Sequence, residues 1–151
     1  MITSTSSSQV KHVVNLQKKA KLRKEEKQFV VEGVKMVSEA PADRLVKVYV
    51  SETFKADNEE FLERMNYDSI GKDVLEIVTD NVFMRMADTQ TPQGIMAVVR
   101  MSDTDLEGIL SDKRNPLLLI IENLQDPGNL GTIVRMAEGA GVTGIIMSSN
   151  T

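Results

Sequence analysis

LLLIIENLQDPGNLGTIVR, residues 117–135, is an apolar run that is followed by a loop with two glycines and then by the beginning of a helix. A continuous apolar run of this kind is typical of a parallel strand that is buried on both faces of a sheet. We expect the helix over about 132–138, ended by Gly139 and Gly141, and a second strand over 142–147. The stretch therefore predicts one β-loop-α-β unit, the beginning of an open parallel sheet.

The loop in this unit lies beyond the carboxyl end of a strand, where open α/β sheets bind their ligands. Gly128 and Gly131 permit backbone angles and close approaches that a side chain would block. The helix that follows offers free N–H groups to an anion. Arg135 comes four residues after Gly131, so we expect it to project from the first helical turn back toward the loop. Its guanidinium can bind a phosphate through two hydrogen bonds.

The residues leave two interpretations of this loop open. One is an anion-binding site, and the other is a tight structural turn in which Arg135 is only a surface cation. Glu122 and Asp126 flank the loop, and we expect them to cap the turn. No Gly-Lys-Ser/Thr follows the glycines, which excludes a Walker-type P-loop, and the Gly-x-Gly-x-x-Gly spacing of dinucleotide-binding folds is absent.

Residues 1–101 alternate short helices with short strands, which predicts a compact α/β sandwich. Ser7 or Ser8 is expected to cap a first helix, Asp57 and Glu60 are spaced as a capping box, and Asp80 is expected to cap a later helix. The predicted strands are 29–32, 45–50, 74–78 and 94–99, and the predicted helices cover about 10–16, 33–40, 57–65 and 80–86.

A polar segment, residues 102–115, is predicted to link this domain to a second one over 116–151. Thr104 and Glu107 have the spacing of a capping box for a short helix. Two parallel strands and one helix cannot cover both faces of the apolar run, and isolated two-stranded sheets are marginally stable. We therefore expect the second domain to be a truncated piece of a larger one.

Charge is distributed unevenly, although the whole chain has a net charge of −4 and a pI of about 5.1. Residues 1–28 carry seven basic and two acidic side chains, so the leading segment is positive and the remainder is acidic. A basic segment of this kind predicts a phosphate-binding face, and a solvated helix face is the alternative. The candidate RNA-binding residues are Lys11, Lys18, Lys19 and Arg23.

Several functional classes are excluded by composition. The chain has no cysteine and one histidine, His12, which is expected at the surface, so we predict no metal site. No apolar run approaches the roughly 20 residues that cross a bilayer, and the first nine residues lack the apolar core of a secretory signal. We therefore predict a cytoplasmic protein with no membrane partner.

The segment Asp126-Pro127-Gly128-Asn129-Leu130-Gly131-Thr132-Ile133-Val134-Arg135, with the glycines after it, resembles the first motif of the SpoU-type (TrmH-like) RNA 2′-O-ribose methyltransferases. The leading domain is similar to the substrate-binding domain of that family, which has an L7Ae/L30e-like fold. The stretches that carry this second similarity are Lys11-His12-Val13, Lys18-Lys19, Phe29-Val30-Val31-Glu32-Gly33 and Thr91-Pro92-Gln93-Gly94.

The resemblance implies an enzyme that transfers a methyl group from S-adenosylmethionine to a ribose 2′-OH of rRNA or tRNA. It implies that Arg135 and Asn129 are catalytic and that Gly128 and Gly131 are their scaffold. It also implies a homodimer and a trefoil-knotted segment that binds the cofactor. That segment follows the first motif, so we expect no cofactor-binding residue in this chain and an inactive chain by itself.

Three functions are therefore to be distinguished. The first is a part of an RNA methyltransferase, the second is a non-catalytic RNA-binding module, and the third is an unrelated nucleotide-binding α/β protein. An arginine is a poor base because its pKa exceeds about 12. We therefore expect Arg135 to act by binding the phosphate and orienting the hydroxyl.

Overall fold

The computed structural model describes residues 1–65, 74–103, 105–111, 115–149 and 151, which form two compact units, Met1–Met101 and Ser102–Thr151. In the first unit the helices are α1 (Ser8–Lys18), α2 (Ala20–Glu26), α3 (Val34–Glu39), α4 (Glu52–Asp57), α5 (Glu59–Met65) and α6 (Asp80–Met86). Its strands are β1 (Gln28–Glu32), β2 (Leu45–Ser51), β3 (Leu75–Val78) and β4 (Ile95–Arg100), and a 3₁₀ turn covers Ala42–Arg44. In the second unit lie α7 (Leu106–Leu110), β5 (Leu118–Ile121), α8 (Pro127–Gly139) and β6 (Gly144–Met147).

A four-stranded sheet in the order β1-β4-β2-β3 forms the centre of the first unit. β4 is antiparallel to both of its neighbours, and β2 and β3 are parallel. Successive side chains of a strand point to opposite faces. In β4, Ala97 therefore packs into one buried cluster, whereas Met96 and Val98 pack into another.

Helices cover both faces of this sheet. On one face Val37 of α3, Phe54 of α4 and Leu62 of α5 are buried in a single cluster. On the other face the clustered side chains include Leu16 of α1 and Phe83 of α6. Two helical layers on a mixed sheet make a sandwich, and the predicted mixed α/β fold is confirmed.

Two predicted helix starts in the first unit were wrong. Asp57 ends α4, a helix that the sequence did not indicate and that Ser51 caps by accepting a hydrogen bond from the Phe54 N–H (3.1 Å). Thr79, not Asp80, caps α6, because its hydroxyl accepts from the Val82 N–H. In both cases the cap is a hydroxyl at the end of a strand, where capping by an adjacent carboxylate is equally plausible from sequence.

The second unit holds the predicted parallel pair of strands, with Leu118 opposite Gly144 and Ile121 opposite Met147. Two helices belong to the described part of this unit, but the pair is not covered on both faces, since Ile121 is buried whereas Ile120 is 71% exposed. The cap of α7 is Asp105, which accepts from the Gly108 N–H (2.7 Å). Thr104 of the predicted capping box, and residues 112–114 of the predicted linker, lie outside the described residues. Within the described part of the chain, no helix is long and apolar enough to cross a membrane.

Candidate functional site

The motif that follows β5 is helical for most of its length. The predicted start of the helix near Thr132 was wrong, since α8 begins at Pro127. Asp126 is its cap, because one carboxylate oxygen accepts from the N–H groups of Gly128 (2.7 Å) and Asn129 (2.9 Å). Proline is favoured at the first position of a helix, where its missing N–H costs nothing. The Asp-Pro pair therefore fixes the start of α8 five residues earlier than predicted.

The prediction of free N–H groups for an anion was also wrong for the first turn of this helix. The Asp126 carboxylate occupies the N–H groups of Gly128 and Asn129, and its negative charge opposes an anion at the same place. Asp126 thus fulfils the expectation that it caps the turn. A phosphate near this motif would have to be bound by side chains.

Gly128 and Gly131 are not needed for unusual backbone angles. Neither has a positive φ, whereas Asn123 (φ 55°) and Gly141 (φ 76°), before and after α8, do. What the two glycines provide is space. A Cβ at Gly128 would lie 3.1 Å from an Asp126 carboxylate oxygen, and one at Gly131 would lie 3.5 Å from an Nη of Arg135. Gly131 therefore leaves the surface beside the Arg135 guanidinium open.

Arg135 lies in the third turn of α8 and not in the first, because the helix starts earlier than predicted. Its side chain is exposed, and Nη2 donates to the Thr132 hydroxyl (3.2 Å), which itself donates to the Gly128 carbonyl (3.0 Å). Residues at i, i+4 and i+7 share one helix face. The guanidinium is thereby held back toward the start of the helix, and it keeps most of its five donors for a ligand.

Asn129 and Arg135 are not brought into contact. They are six residues apart on one helix, which separates them by about 120° around the axis and about 9 Å along it. No hydrogen bond joins them within the described residues, and the Asn129 side chain is exposed. Thr132 is the partner that sequence reasoning missed. Its position, four residues after Gly128 and three before Arg135, would have identified it if the helix start had been placed at Pro127.

The carboxyl ends of β5 and β6 are joined by a second set of polar contacts that the sequence did not indicate. Ser148 accepts from the Asn123 N–H (3.1 Å) and donates its own N–H to the Ile121 carbonyl (3.0 Å). Its hydroxyl also contacts the Thr151 hydroxyl (2.9 Å). These groups are hydrogen-bonded to one another, so they leave few free donors for a ligand at the ends of the two strands.

The basic leading segment divides into exposed lysines and one structural arginine. Lys11, Lys18 and Lys19 are exposed. Arg23 of α2 is half-buried, and its Nη1 donates to the carbonyls of Leu16 and Gln17 at the end of α1, both at 2.8 Å. Sequence reasoning missed this role because α2 was not predicted. The assignment of these four residues to RNA binding stays a prediction.

Two of the stretches that carry the resemblance lie against each other in the first unit. The Gln93 side chain accepts from the Val34 N–H (2.8 Å). The Glu32 carboxylate accepts from the Asp88 N–H (3.1 Å) and from the Thr89 hydroxyl. Residues 32–34 and 88–93 therefore form one surface at the end of the sheet.

Two side chains of the first unit have perturbed pKa values. Burial, with a smaller contribution from Glu76, raises the pKa of Tyr49 to about 12, and its hydroxyl donates to the Gln9 side chain (3.2 Å). Hydrogen bonds from the Thr53 hydroxyl and N–H lower the pKa of Asp80. Both groups are therefore in their usual charge states near neutral pH, and neither is tuned for acid–base catalysis.

His12, expected at the surface, is part-exposed, and its Nε2 lies 3.3 Å from a Glu26 carboxylate oxygen. No group of His, Asp and Glu side chains able to hold a metal ion is found among the described residues.

The chain is similar to a family of substrate-binding domains and to proteins named as rRNA methyltransferases. A family described as the MRM3-like substrate binding domain matches residues 7–97. The chain is 31% identical to the human mitochondrial rRNA methyltransferase 3, over 90% of this chain and 32% of that protein. It is 30% identical to a 23S rRNA (guanosine-2′-O-)-methyltransferase of Haemophilus influenzae, over 79% of this chain and 49% of that protein.

A solved structure, the AdoMet-bound rRNA methyltransferase from Sinorhizobium meliloti, superimposes with a TM-score of 0.75 at 24% identity, over 97% of this chain and 53% of that one. The likeness supports a shared fold. The chain spans about a third to a half of the length of these curated relatives.

Proposed function

Because the chain belongs to the family of MRM3-like substrate-binding domains, we propose that it is the substrate-binding part, with the first catalytic motif, of an RNA 2′-O-ribose methyltransferase. The match over residues 7–97 carries this proposal. The resemblance to the SpoU-type family that the sequence indicated is confirmed by relatives named as rRNA methyltransferases. The proposed substrate class is rRNA, and the proposed methyl donor of the complete enzyme is S-adenosylmethionine.

RNA binding is assigned to the first unit. Its exposed lysines, Lys11, Lys18 and Lys19, provide positive charge on an otherwise acidic chain. Lysine side chains bind phosphates of either nucleic acid, but only RNA offers the 2′-OH that this reaction requires. The unit therefore supplies affinity, and the ribose chemistry selects RNA.

Arg135 is proposed to bind the phosphate next to the reacting ribose. Its hydrogen bond to Thr132 holds the guanidinium in one orientation, and the bare Gly131 leaves room for the RNA backbone beside it. A fixed, bidentate donor orients the 2′-OH and offsets developing charge. The guanidinium does not take the proton, since it stays charged at neutral pH. Asn129, which lies about 120° around the helix axis from Arg135, is proposed to organise the site from the first turn of α8.

No residue of this chain is assigned to S-adenosylmethionine. The polar groups at the carboxyl ends of β5 and β6, among them Ser148 and Thr151, bond with one another. They do not form an open pocket for a charged cofactor. We therefore propose that the cofactor binds to parts of the complete enzyme outside this chain.

Arg135 substitutions in the complete enzyme test the catalytic proposal. Arg135→Ala is expected to lower methylation of rRNA by about 10²–10³-fold, the usual cost of losing one charge-stabilising donor. Arg135→Lys should restore little, because an ammonium cannot reproduce the bidentate fork. Incorporation of labelled methyl groups, with mapping of the ribose, measures both variants. Arg64→Ala, an exposed arginine in α5, is the matched control. Near-normal turnover of Arg135→Ala would show that Arg135 is only a surface cation.

A non-catalytic RNA-binding module is the second candidate, since the family match lies entirely within the first unit. The 151-residue chain distinguishes the two functions when RNA binding and methyl transfer are measured on the same sample. We expect RNA binding without methyl transfer. Calorimetric titration with S-adenosylmethionine should detect no binding, and micromolar binding at one site per chain would contradict the assignment of the cofactor site.

The homodimer and the cytoplasmic location are also proposals. Exposed apolar side chains in the second unit support a covering partner, since Ile120 is 71%, Met136 69% and Met147 52% exposed. Light scattering of the complete protein measures its oligomeric state, and a monomer at micromolar concentration would contradict the proposed dimer.

A further inference from the structure

The first unit has a groove of about 340 Å³ at the junction of α1, α6 and the N-terminal segment. Val10 and Val14 of α1 line it with apolar surface, and its polar residues come from all three segments. They are Thr5, Lys11, Asn15 and Arg85. All residues that line the groove belong to the first unit, and Arg85, Asn15 and Thr5 have no part in the function proposed above.

Two cations line this groove without a carboxylate among its lining residues. In the part of the chain that the structure describes, the side chains of Lys11 and Arg85 form no ion pair or hydrogen bond. Lys21, by contrast, lies 3.7 Å from Glu25, which partly neutralises its charge. Two like charges in one groove repel each other unless an anion lies between them. The groove is therefore suited to an anionic group.

The groove also continues into the lysines at the end of α1. Lys11, Asn15 and Lys18 are spaced i, i+4 and i+7, so they share one face of the helix. At 1.5 Å per residue this face extends about 10 Å from Lys11 to Lys18. A polyanion that entered the groove would meet further positive charge along the same helix, which favours a chain of phosphates over a single anion.

We propose that this groove binds the phosphate–ribose backbone of RNA, with Lys11 and Arg85 on one phosphate. Arg85 supplies a planar fork for two phosphate oxygens, and Lys11 supplies a second charge from the opposite side. Asn15 and Thr5 donate to ribose or phosphate oxygens, and Val10 and Val14 contact the sugar. The inference rests on the proposed RNA-binding function and identifies a site for it.

Salt dependence of RNA binding by the 151-residue chain provides the first measurement. The double variant Lys11→Gln/Arg85→Gln removes two phosphate contacts. It should reduce the slope of log affinity against log salt, for a mixed-sequence single-stranded RNA, by about 1.4, or 0.7 per contact. Lys55→Gln/Arg64→Gln, which removes two exposed charges elsewhere in the unit, is the matched control and should change the slope by much less.

Cysteine protection provides the second measurement, because the chain has no cysteine of its own. Thr5→Cys places a thiol on the exposed rim of the groove, and Ala56→Cys places one on α4 as the control. RNA should slow maleimide modification at position 5 and not at position 56. Inorganic phosphate and poly-glutamate, each at the same concentration of charge, should protect position 5 much less than RNA does.

The outcomes separate the groove from the proposed function. One outcome is that the unchanged chain binds RNA while the double variant keeps its salt slope and RNA does not protect position 5. In that case the inference about the groove is wrong and RNA binding by the chain stands. Equal protection by inorganic phosphate would indicate a site for a free anion, and equal protection by poly-glutamate would indicate an acidic protein partner. Each of these overturns the assignment to RNA. A chain that binds no RNA would overturn the proposed function together with the groove.

Discussion

Arg23 offers a direct test of how the basic leading segment is built. Its Nη1 donates to the carbonyls of Leu16 and Gln17, each at 2.8 Å, at the end of α1, where carbonyls have no partner within the helix. Arg23→Lys keeps the positive charge near that helix end but removes the longer, planar guanidinium, whose Nη1 donates to both oxygens. The substitution therefore separates the structural role of Arg23 from a role in binding phosphate.

The expected loss follows from these two hydrogen bonds. A hydrogen bond with a charged donor contributes about 1.5–3 kcal/mol when it is well shielded. Arg23 is only half-buried, and the lysine retains its interaction with the helix dipole, so we expect less than the sum of two such bonds. The free energy of unfolding should fall by about 2 kcal/mol. For a chain of this size, that corresponds to a decrease in Tm of roughly 4–8 °C.

Urea and thermal unfolding followed by circular dichroism measure this change, with Lys24→Gln, an exposed position in the same helix, as the control. The control should stay within about 0.5 kcal/mol of the unchanged chain. Arg23→Lys should leave the salt slope of RNA binding unchanged, since the charge is kept. If the free energy of unfolding of Arg23→Lys lies within about 0.5 kcal/mol of that of the unchanged chain, the two hydrogen bonds contribute little. Arg23 would then be available to bind RNA.

Three further predictions concern single positions. Gly131→Ala should stabilise the chain by about 0.5–1 kcal/mol in urea unfolding, because the position is helical and the added Cβ meets Arg135 at an ordinary 3.5 Å. In the complete enzyme it should still lower methylation, and unchanged activity would show that the RNA does not approach this glycine. Asp80 has a lowered folded-state pKa through its hydrogen bonds from Thr53, so its contribution to stability is present above about pH 4 and is lost as the pH falls through the folded-state pKa. Asp80→Asn should therefore weaken the acid dependence of unfolding, and an identical pH profile would contradict this. Gly33→Ala should lower the free energy of unfolding by about 2 kcal/mol or more, since φ is +96° and the Cβ would lie 2.8 Å from the Gln93 side-chain oxygen. A stability equal to that of the unchanged chain would show that the 88–93 segment moves to accommodate the Cβ at no cost.

Local patterns in the sequence were sufficient for most of the first unit. The predicted apolar stripe of α1 was Val10, Val13, Val14 and, less regularly, Leu16, and all of these except Val14 are buried. The predicted strands 29–32, 45–50 and 94–99 lie within one or two residues of β1, β2 and β4. These features depend on periods of 3.6 and 2 that a short stretch carries by itself. The start of α8 was also available locally, from Asp126 and Pro127, but the two glycines suggested a loop.

Tertiary structure alone decided which side chains meet. Arg23 bonds to the end of a helix that lies next to its own, and its charge gave no sign that it is structural. Glu32 reaches Thr89, and Lys11 shares a groove with Arg85, across more than fifty residues in each case. Exposed charges follow no periodic pattern, and a contact between distant segments depends on how the helices pack on the sheet. The sequence therefore determined most of the elements and the family motif, whereas packing determined which cations support the fold and which are proposed to bind RNA.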